Sequence, residues 1–484
     1  MRRYPSRVYH LPIMTPEEFR VYAHQIVDWI ADYRATVQDR PVMAQVAPGQ
    51  VSSSLPASAP EQPQPFAQVM ADLNEIILPG MSHFQHPSFY GYFPANASLA
   101  SLLGDFVSGG FGVIGLNWQA APALTEVEEV TMSWLRQLVG LSDAWQGVIQ
   151  DTASTSTLVA LICARERATQ YALARGGLQA VPAPLIVYGS EHAHSSVEKA
   201  ALLAGFGKDN LRYVAVDGAY AIRPDALEEA IRADLARGNL PCAVVGTTGT
   251  TGVTAVDPLE AIAEIAKKYN IWMHVDSAMA GSAMILPECR WMWKGIEGAD
   301  SIVLNPHKWL GVTFDCSAYF VRDSQHLVRV MSTNPSYLQT SADGSAKNYR
   351  DWGIPLGRRF RALKLWMLLR LEGVETLQAR LRRDMANAQW LAALVDGTPC
   401  WRVLAPVHLQ TVCVRHEPPN LSGEALDAHT LAWANAINKS GKAYLTPSIQ
   451  DGRWMVRVSI GAENTEREHV AALWDEMQKT ANIN

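Results

Sequence analysis

Cysteine is scarce in this sequence of 484 residues, and none of the six cysteines belongs to a Cys-x-x-Cys pair. Disulfide frameworks and cysteine-based zinc sites depend on closely spaced cysteines, so the sequence excludes a disulfide-stapled secreted scaffold and a cysteine-rich zinc module. Several of the cysteines lie in apolar runs, where the side chain behaves as a small hydrophobe. This usage predicts a protein of the reducing cytosol.

Long hydrophobic runs are also missing. No segment reaches the roughly 18–20 uninterrupted apolar residues that a membrane-spanning helix needs. The first residues, MRRYPSRVYHLPIM, contain arginines but no continuous apolar stretch, so they do not resemble a secretory signal. We therefore expect a soluble, cytoplasmic protein.

Positive charge is not in excess, because 41 lysines and arginines are outnumbered by 47 aspartates and glutamates. A net charge of −6 gives no electrostatic reason to expect nucleic acid or an anionic membrane as a partner. The sequence contains no low-complexity tract, and its 48% hydrophobic and 18% charged residues are typical of a compact globular protein. Small-molecule chemistry is therefore the favoured class of function.

The first helix predicted from the sequence starts at Thr15, which Pro16 and Glu18 follow in the pattern of a capping box. Its apolar positions recur at helical spacing: Phe19, Tyr22, Ile26, Trp29 and Tyr33. Residues 46–66 are rich in proline, serine and alanine, which predicts an extended linker. A helix ahead of such a linker has little core of its own, so we expect it to pack on a second subunit or, alternatively, to fold back on its own chain.

Short apolar runs alternate with helical segments between about residue 120 and residue 325. The runs are residues 185–188, 242–246, 271–275, 301–304 and 317–321, and the helical segments include 225–237 and 258–269. This alternation predicts an α/β fold with a largely parallel sheet covered by helices on both faces. The last hundred residues predict a small α+β domain instead. Its expected strands are 401–407, 410–416, 442–447 and 453–461, followed by a helix at 465–480.

Polar residues behind these runs are candidates for function, because ligands bind at the carboxyl ends of parallel strands. The hydroxyl-rich residues 152–156 precede a helical segment and suit either a phosphate group or simple helix capping. Asp276 ends one run and suits either the cationic ring nitrogen of a bound heterocycle or a cap. Thr250 and Thr251 follow another run, beside glycines that let the backbone approach a ligand closely.

Two basic side chains add to this set. With His192 and Glu191, His194 could form a metal site, because His-x-His places two ligands close together; otherwise it offers a ring for stacking or lies in a solvated turn. Lys308 follows the run 301–304 in the sequence NPHKW. A dry environment there would depress the pKa of its amine and make it a nucleophile and Schiff-base former, whereas a surface lysine would extend its ammonium into water.

One cofactor accounts for these features together. A phosphate cradle, an acid for a ring nitrogen, an aromatic ring for stacking and an amine form the set that pyridoxal 5'-phosphate requires. Their coincidence at the ends of predicted strands favours this cofactor over the separate interpretations.

Four stretches resemble signature sequences of the group II pyridoxal-phosphate-dependent decarboxylases, specifically the aromatic-L-amino-acid decarboxylase family: NPHKWLGVTFDCSAYFV, HVDSAMAGSA, AHSSVEKA and IPLGRRFRALK. The resemblance runs from the first helix to the last strand and looks closest to bacterial members acting on L-DOPA. It implies the fold type I PLP-dependent transferase architecture, with a mostly parallel seven-stranded sheet, in a homodimer with shared active sites. The implied units are a dimer-swapped helical segment and linker (1–90), a large cofactor-binding α/β domain (91–375) and a small α+β domain (376–484).

The resemblance also implies roles for single residues. Lys308 matches the lysine that holds the cofactor as a Schiff base, Asp276 the carboxylate at the pyridine nitrogen, and His194 the stacked imidazole. Tyr337 matches a tyrosine on a mobile loop, residues 331–352, that protonates the substrate carbon after carbon dioxide leaves. The other implied cofactor-binding residues are Thr152, Ala153, Ser154, Thr251, Ala278, Asn305 and His307. The implied substrate pocket, partly contributed by the second subunit, comprises Phe84, Tyr92, Phe93, Pro94, Ile114, Leu116 and Gly357.

The implied reaction is decarboxylation of an aromatic L-amino acid, with L-DOPA first and tyrosine, tryptophan or 5-hydroxytryptophan as other candidates. Phe84 and Ala95 stand where animal members carry tryptophan and threonine, and Gly357 matches a position that influences indole against phenol choice in relatives. A pyridoxal-phosphate-dependent aromatic aldehyde synthase would share the cofactor residues. The resemblance implies, however, that such synthases carry phenylalanine at the position of Tyr337. A metal hydrolase built on His192, His194 and Glu191 is an alternative from another class.

Overall fold

The computed structural model describes residues 14–482. Its strands are β1 (Gln146–Gln150), β2 (Leu185–Ser190), β3 (Leu211–Val214), β4 (Leu240–Thr247), β5 (Trp272–Asp276), β6 (Ser301–Leu304), β7 (Ser317–Val321), β8 (Trp401–Val403), β9 (Thr411–His416), β10 (Thr446–Gln450) and β11 (Arg453–Ser459). Its α-helices are α1 (Pro16–Thr36), α2 (Gln50–Ser54), α3 (Phe66–Asp72), α4 (Leu99–Phe111), α5 (Pro122–Leu138), α6 (Ala153–Ala168), α7 (Ser195–Leu203), α8 (Pro224–Ala236), α9 (Leu259–Tyr269), α10 (Ser324–Met331), α11 (Ala362–Leu371), α12 (Gly373–Asp396), α13 (Gly423–Ser440) and α14 (Arg467–Ala481).

The large sheet has seven strands in the order β1-β7-β6-β5-β4-β2-β3. The strands from β6 to β3 pair in parallel, while β7 is antiparallel to both β6 and β1. This confirms the prediction of a mostly parallel seven-stranded sheet. Every residue of β2, β5, β6 and β7 is buried, which explains why these strands are nearly continuous apolar runs in the sequence.

Alternate residues of the strands contribute to two apolar clusters, one on each face of the sheet. Val244, Met273 and Val275 belong to one cluster, whereas Val245 and Trp272 belong to the other. A smaller antiparallel sheet, ordered β10-β11-β9-β8, packs with α12, α13 and α14 around a third cluster. The parallel strands of the large sheet therefore bring their carboxyl ends to one edge, where a ligand site is expected.

The structure corrects several boundaries. All five predicted runs of the large sheet are strands, but β1 and β3 were not predicted. The predicted strand at 442–447 is wrong, because β10 begins only at Thr446, and α13 was missed. The predicted linker 46–66 is interrupted by α2. The domain boundaries after residues 90 and 375 stay predictions.

Helix α1 begins with the predicted capping box, in which the Thr15 hydroxyl accepts the Glu18 N–H at 3.2 Å and Glu18 Oε2 accepts the Thr15 N–H at 2.8 Å. No residue of α1 is buried against its own chain. Its exposed large apolar side chains are Phe19, Val21, Ile26 and Val27, and those of α4 are Leu99, Leu103, Phe106 and Phe111. Both helices thus present apolar surface outward.

Most of the chain's cysteines are inside the molecule. Five of the six are buried: Cys163, Cys242, Cys289, Cys316 and Cys413. Within residues 14–482, no helix combines the length and the apolar character needed to cross a membrane.

Candidate active site

A cavity of about 200 Å³ lies at the carboxyl edge of the large sheet. It is lined by Phe93, Thr152, Ala153, Ser154, His194, Ser196, Thr247, Gly249, Thr251, Asp276, Ala278, Met279, Asn305, His307 and Lys308. Every residue predicted to bind the cofactor is in this set. The residues come from sequence positions far apart, and the ends of β4, β5 and β6 bring them together.

Lys308 enters the cavity from the turn that follows β6, and only part of its side chain is exposed. Burial lowers the pKa of its amine below the ordinary value, the Asp276 carboxylate opposes this shift, and the Arg457 guanidinium adds to it. The amine lies 5.5 Å from the centre of the Phe93 ring. A lysine with a depressed pKa has more of the neutral, nucleophilic amine at neutral pH than an exposed lysine has.

Asp276 ends β5 and is only 4% exposed. Its Oδ1 accepts the N–H of Ala278 at 3.0 Å, which fixes the carboxylate. His194 caps the N-terminus of α7, where its Nδ1 accepts the N–H of Ser196 at 3.1 Å. Burial lowers the pKa of His194, with Asp276 raising it and Lys308 lowering it further. The imidazole is therefore neutral at neutral pH, with its proton on Nε2.

Hydrogen-bond donors converge at the N-terminus of α6. Thr152 is its N-cap residue but makes no side-chain capping bond, and Ser154 lies in the first turn. The Oδ1 atom of Asn305 is buried without a hydrogen-bond partner among the described residues. His307 accepts the N–H of Cys316 on Nδ1 at 2.9 Å, and burial lowers its pKa to about 3, so Nε2 carries the proton. The first-turn amides of α6 and the Nε2–H of His307 are hydrogen-bond donors, so this end of the cavity suits an anion such as phosphate.

The residues present fit pyridoxal phosphate. The free first-turn amides of α6 suit its phosphate, the Asp276 carboxylate suits a protonated ring nitrogen, and the Lys308 amine suits its aldehyde. The Asn305 Oδ1 acceptor and the Thr247 hydroxyl are buried without a hydrogen-bond partner among the described residues, so both are free to bind a donor group of a ligand.

Arg457 on β11 was missed in the sequence. It is 4% exposed, its Nε donates to the Gly252 carbonyl at 2.9 Å, and its Nη2 has no hydrogen-bond partner among the described residues. Its guanidinium lies 4.8 Å from the centre of the Phe93 ring, the same ring that faces Lys308. The sequence did contain a signal for this residue, because Arg457 lies inside the apolar run 453–461. Burying a charged side chain there is costly, which makes the arginine a candidate functional residue.

The predicted substrate pocket divides into two groups. The first group is the segment Tyr92, Phe93 and Pro94 together with Phe84, whose ring centre lies 6.3 Å from that of Tyr92. The Tyr92 hydroxyl lies 3.0 Å from that of Tyr444. Ile114, Leu116 and Gly357 form a second group, in which a Cβ added to Gly357 would lie 3.3 Å from Ile114 Cγ2. Of these seven residues, only Phe93 lines the cavity itself.

Tyr337 is not brought to the cavity within this chain. It lies in a short turn, Ser336–Leu338, and 79% of its side chain is exposed. The segment between α10 and the turn Tyr349–Trp352 contains no α-helix or strand.

The metal alternative has no geometric support. The His192 ring packs edge-on against Tyr220, with ring centres 5.4 Å apart. Within residues 14–482, no group of three or more histidine, cysteine, aspartate or glutamate side chains is placed to hold a metal ion.

Comparisons with known proteins agree with this geometry. Residues 48–417 match the pyridoxal-dependent decarboxylase conserved domain. Phenylacetaldehyde synthase from Arabidopsis thaliana is 40% identical over 481 residues, covering 97% of this chain and 96% of the relative. Tyrosine decarboxylase 2 from Narcissus pseudonarcissus is 40% identical over 486 residues, covering 97% and 95% respectively.

A solved structure of Oryza sativa TDC with PLP and tryptamine matches with a TM-score of 0.94 at 36% identity, covering 98% of this chain and 99% of that chain. These matches confirm the predicted fold and the predicted cofactor. The chain is a pyridoxal-phosphate-dependent enzyme of the pyridoxal-dependent decarboxylase family, in the group that contains aromatic amino acid decarboxylases and aldehyde synthases.

Proposed function

We propose that this enzyme removes the carboxyl group of an aromatic L-amino acid to give the amine and carbon dioxide, with L-DOPA as the preferred substrate. The observation that carries the proposal is the convergence of Lys308, Asp276 and His194 on one cavity that the N-terminus of α6 also lines. The aromatic class is supported by relatives named tyrosine decarboxylase and tryptophan decarboxylase.

Pyridoxal phosphate, when bound, supplies an electron sink for the pair left on the substrate carbon as carbon dioxide departs. In this proposal Lys308 holds the cofactor through its amine, and Asp276 holds a proton at the pyridine nitrogen because a buried carboxylate stabilises the cation. His194 would stack against the cofactor ring and exclude water. Ala278 and Thr251 would contact the ring, and Thr152, Ala153, Ser154, Asn305 and His307 would bind the phosphate.

Arg457 binds the carboxylate of the incoming amino acid. Its unpartnered Nη2 and its position over Phe93 support this role, since a buried guanidinium stabilises an anion strongly through charge-assisted hydrogen bonds. The substrate carbon is then held between this arginine and the Lys308 amine, which orients the bond that must break.

The aromatic ring of the substrate is accommodated by Phe84, Tyr92 and Pro94. The paired hydroxyls of Tyr92 and Tyr444 offer both a donor and an acceptor to a ring hydroxyl, which supports a phenol or catechol over phenylalanine. The two hydroxyls also pair with each other, so a phenylalanine side chain would bind without gaining a hydrogen bond from them. Ile114, Leu116 and Gly357 complete the pocket from a second subunit.

A homodimer is part of the proposal. Helix α1 has no buried residue, and α4 exposes large apolar side chains, which is typical of surfaces that pack on a partner. In this proposal Tyr337, which does not line the cavity of its own chain, acts at the substrate site of the partner subunit.

A second candidate function is oxidative formation of an aromatic aldehyde, because the phenylacetaldehyde synthase relative is as similar to this chain as the tyrosine decarboxylase is. Tyr337 favours decarboxylation alone, since a phenol can donate a proton to the substrate carbon. With phenylalanine at this position the carbon would stay open to dioxygen.

The test is product analysis with the enzyme loaded with pyridoxal phosphate. L-DOPA, tyrosine, tryptophan, 5-hydroxytryptophan and phenylalanine are supplied separately, and carbon dioxide, amine and aldehyde are quantified. We expect amine and carbon dioxide in equal amounts, with the highest kcat/KM for L-DOPA. Borohydride treatment followed by peptide mass analysis should place the reduced pyridoxyl label on Lys308; a label elsewhere, or aldehyde as the main product, would contradict the proposal.

A further inference from the structure

The turn that carries Lys308 has an irregular backbone. Lys308 has φ −96° and ψ −106°, outside the helical region, and Gly311 at the end of the turn has φ +98°. Within the turn, the Lys308 N–H donates to the Asn305 carbonyl at 3.0 Å, and the Lys308 carbonyl accepts the N–H of Asn96 at 3.3 Å.

Asp384 of helix α12 supports this turn through the residue next to the lysine. The Trp309 indole N–H donates to Asp384 Oδ2 at 2.9 Å, and both side chains are fully buried. Burial raises the pKa of Asp384 to about 7, opposed by the charge of Arg383 and by the hydrogen bond from Trp309. Burying a carboxyl group is costly. The hydrogen bond from Trp309 offsets part of this cost, and it ties helix α12 to the turn that carries Lys308.

Arg380 lies one helical turn before Asp384 and binds Leu310, the residue that follows Trp309. Its Nη2 donates to the Leu310 carbonyl at 2.6 Å. A Cβ added to Gly311 would lie 2.7 Å from the same nitrogen, so the glycine leaves room for the arginine. Two side chains of one helix therefore hold the two residues that follow Lys308.

We propose that Asp384 is a positioning residue that fixes the Trp309 ring and thereby sets the direction in which the Lys308 amine enters the cavity. This inference rests on the proposed function in taking Lys308 as the reactive amine. Asp384 does not line the cavity, so its effect reaches the chemistry only through Trp309 and the turn.

The test compares Asp384→Leu, which removes the acceptor, with Asp384→Asn, which keeps an oxygen for the indole N–H. The matched control is Arg382→Gln, a change on the same helix at a residue that is 48% exposed and pairs with Glu288. Four quantities are measured: the melting temperature, kcat, KM, and the pH midpoint at which Lys308 of the apoprotein becomes reactive towards acetic anhydride, read by peptide mass analysis.

We expect Asp384→Leu to lower kcat by about tenfold to a hundredfold, the scale of a misplacement of about 1 Å, while KM changes by less than about threefold. The pH midpoint of Lys308 labelling in the apoprotein should shift, and Asp384→Asn should restore most of kcat and the original midpoint. If Asp384→Leu does not fold, Trp309→Phe can replace it because it removes the same hydrogen bond. We expect the same changes in kcat and in the labelling midpoint from this variant.

A melting temperature lowered without any change in kcat or in the labelling midpoint would overturn the proposal, since it would leave Asp384 a purely structural role. The wild-type enzyme separates this result from failure of the proposed function. If pyridoxal phosphate and borohydride leave no label on wild-type Lys308, the proposed function fails; if the label forms and the variants match Arg382→Gln, only the positioning role fails.

Discussion

A single carboxylate, Asp276, is expected to control the electron sink. Asp276→Asn keeps an oxygen for the Ala278 N–H but loses the negative charge that holds a proton on the cofactor ring. We expect kcat to fall by about a thousandfold, the scale of removing a dominant electrostatic interaction, with cofactor still bound. Asp225→Asn, the same change at an exposed residue, should leave kcat unaltered. Steady-state kinetics with L-DOPA give the answer, and ordinary kcat in Asp276→Asn would remove the residue from the mechanism.

Tyr337 is the residue that separates the two candidate reactions. Tyr337→Phe removes one hydroxyl from a side chain that is 79% exposed in its own chain, so folding should be unaffected. Amine formation should fall by about a hundredfold or more, within the range of a lost general acid, and aldehyde should appear as dioxygen takes the place of the proton. Chromatography of both products measures the ratio; unchanged amine output would show that another group donates the proton.

At the same scale, the sequence revealed most of the cavity and missed Arg457. Asp276 directly follows the apolar run 271–275, and Lys308 and His194 lie four and six residues beyond the runs 301–304 and 185–188. Their place near strand ends could therefore be predicted, and the family resemblance supplied their roles. Arg457 lies within a strand of the other sheet, and only the folded chain shows that this strand reaches the Phe93 ring. The Asp384–Trp309 contact joins residues 75 positions apart, which local patterns do not reveal.

Among the elements, helix α6 offers a test in which folding and binding respond in opposite directions. Ser154→Glu adds an acidic residue to the first turn of α6, where it favours the helix by about 0.3–1 kcal/mol. The same charge opposes the phosphate, so affinity for pyridoxal phosphate should fall by about a hundredfold, a cost of roughly 3 kcal/mol. Fluorescence titration measures binding and thermal melting measures the apoprotein. Ser154→Ala removes only a hydrogen-bond donor, so its affinity for pyridoxal phosphate should fall by about tenfold at most. Equal losses of affinity in both variants would argue against an anion site.

There are physical reasons why some elements could not be predicted from the sequence. β1 (QGVIQ) and β3 (LRYV) contain polar or charged residues and so are not continuous apolar runs, and β1 begins with partly exposed residues. Pro447 breaks the expected strand pattern around β10, and the structure tolerates it because β10 is an edge strand. Helix α13 did have a helical repeat of apolar residues, with Leu426, Trp433 and Ile437 all buried, and reading that repeat would have found it.

For the whole molecule, buried histidine predicts sensitivity to acid. His274 is fully buried, and burial lowers its pKa from 6.5 to about 4. The unfolded chain binds this proton near pH 6.5 and the folded chain only near pH 4, so the stabilisation is fully present above pH 6.5 and is lost as the pH falls towards 4. Between pH 7.5 and pH 5 the loss from this group should be about 2 kcal/mol.

Urea unfolding of the apoprotein at these two pH values measures that loss. His274→Gln should show a decline smaller by about 2 kcal/mol, even if it is less stable at pH 7.5. His408→Gln, at an exposed histidine, should follow the wild type. A decline as steep in His274→Gln as in the wild type would assign the acid sensitivity to other groups.

The dimer gives a second prediction at this scale. Phe19→Asp places a charge on a side chain of α1 that is 61% exposed in the single chain but is proposed to be covered by the partner. Sedimentation should show more monomer, and activity should fall with it because the substrate pocket is shared. Gln25→Asp, at an exposed polar residue of the same helix, is the control. A Phe19→Asp variant that stays dimeric and active would place the interface elsewhere.

The burial of the cysteines has a consequence for the proposed reaction, whose substrate is a catechol. Catechols oxidise to quinones, which capture thiolates, and burial raises the pKa of both Cys242 and Cys316 to about 12, so little thiolate forms. Cys400 is only partly covered, and we expect it to be arylated first. The fold thus protects most of the cysteine thiols from quinones that would form from the proposed catechol substrate and product.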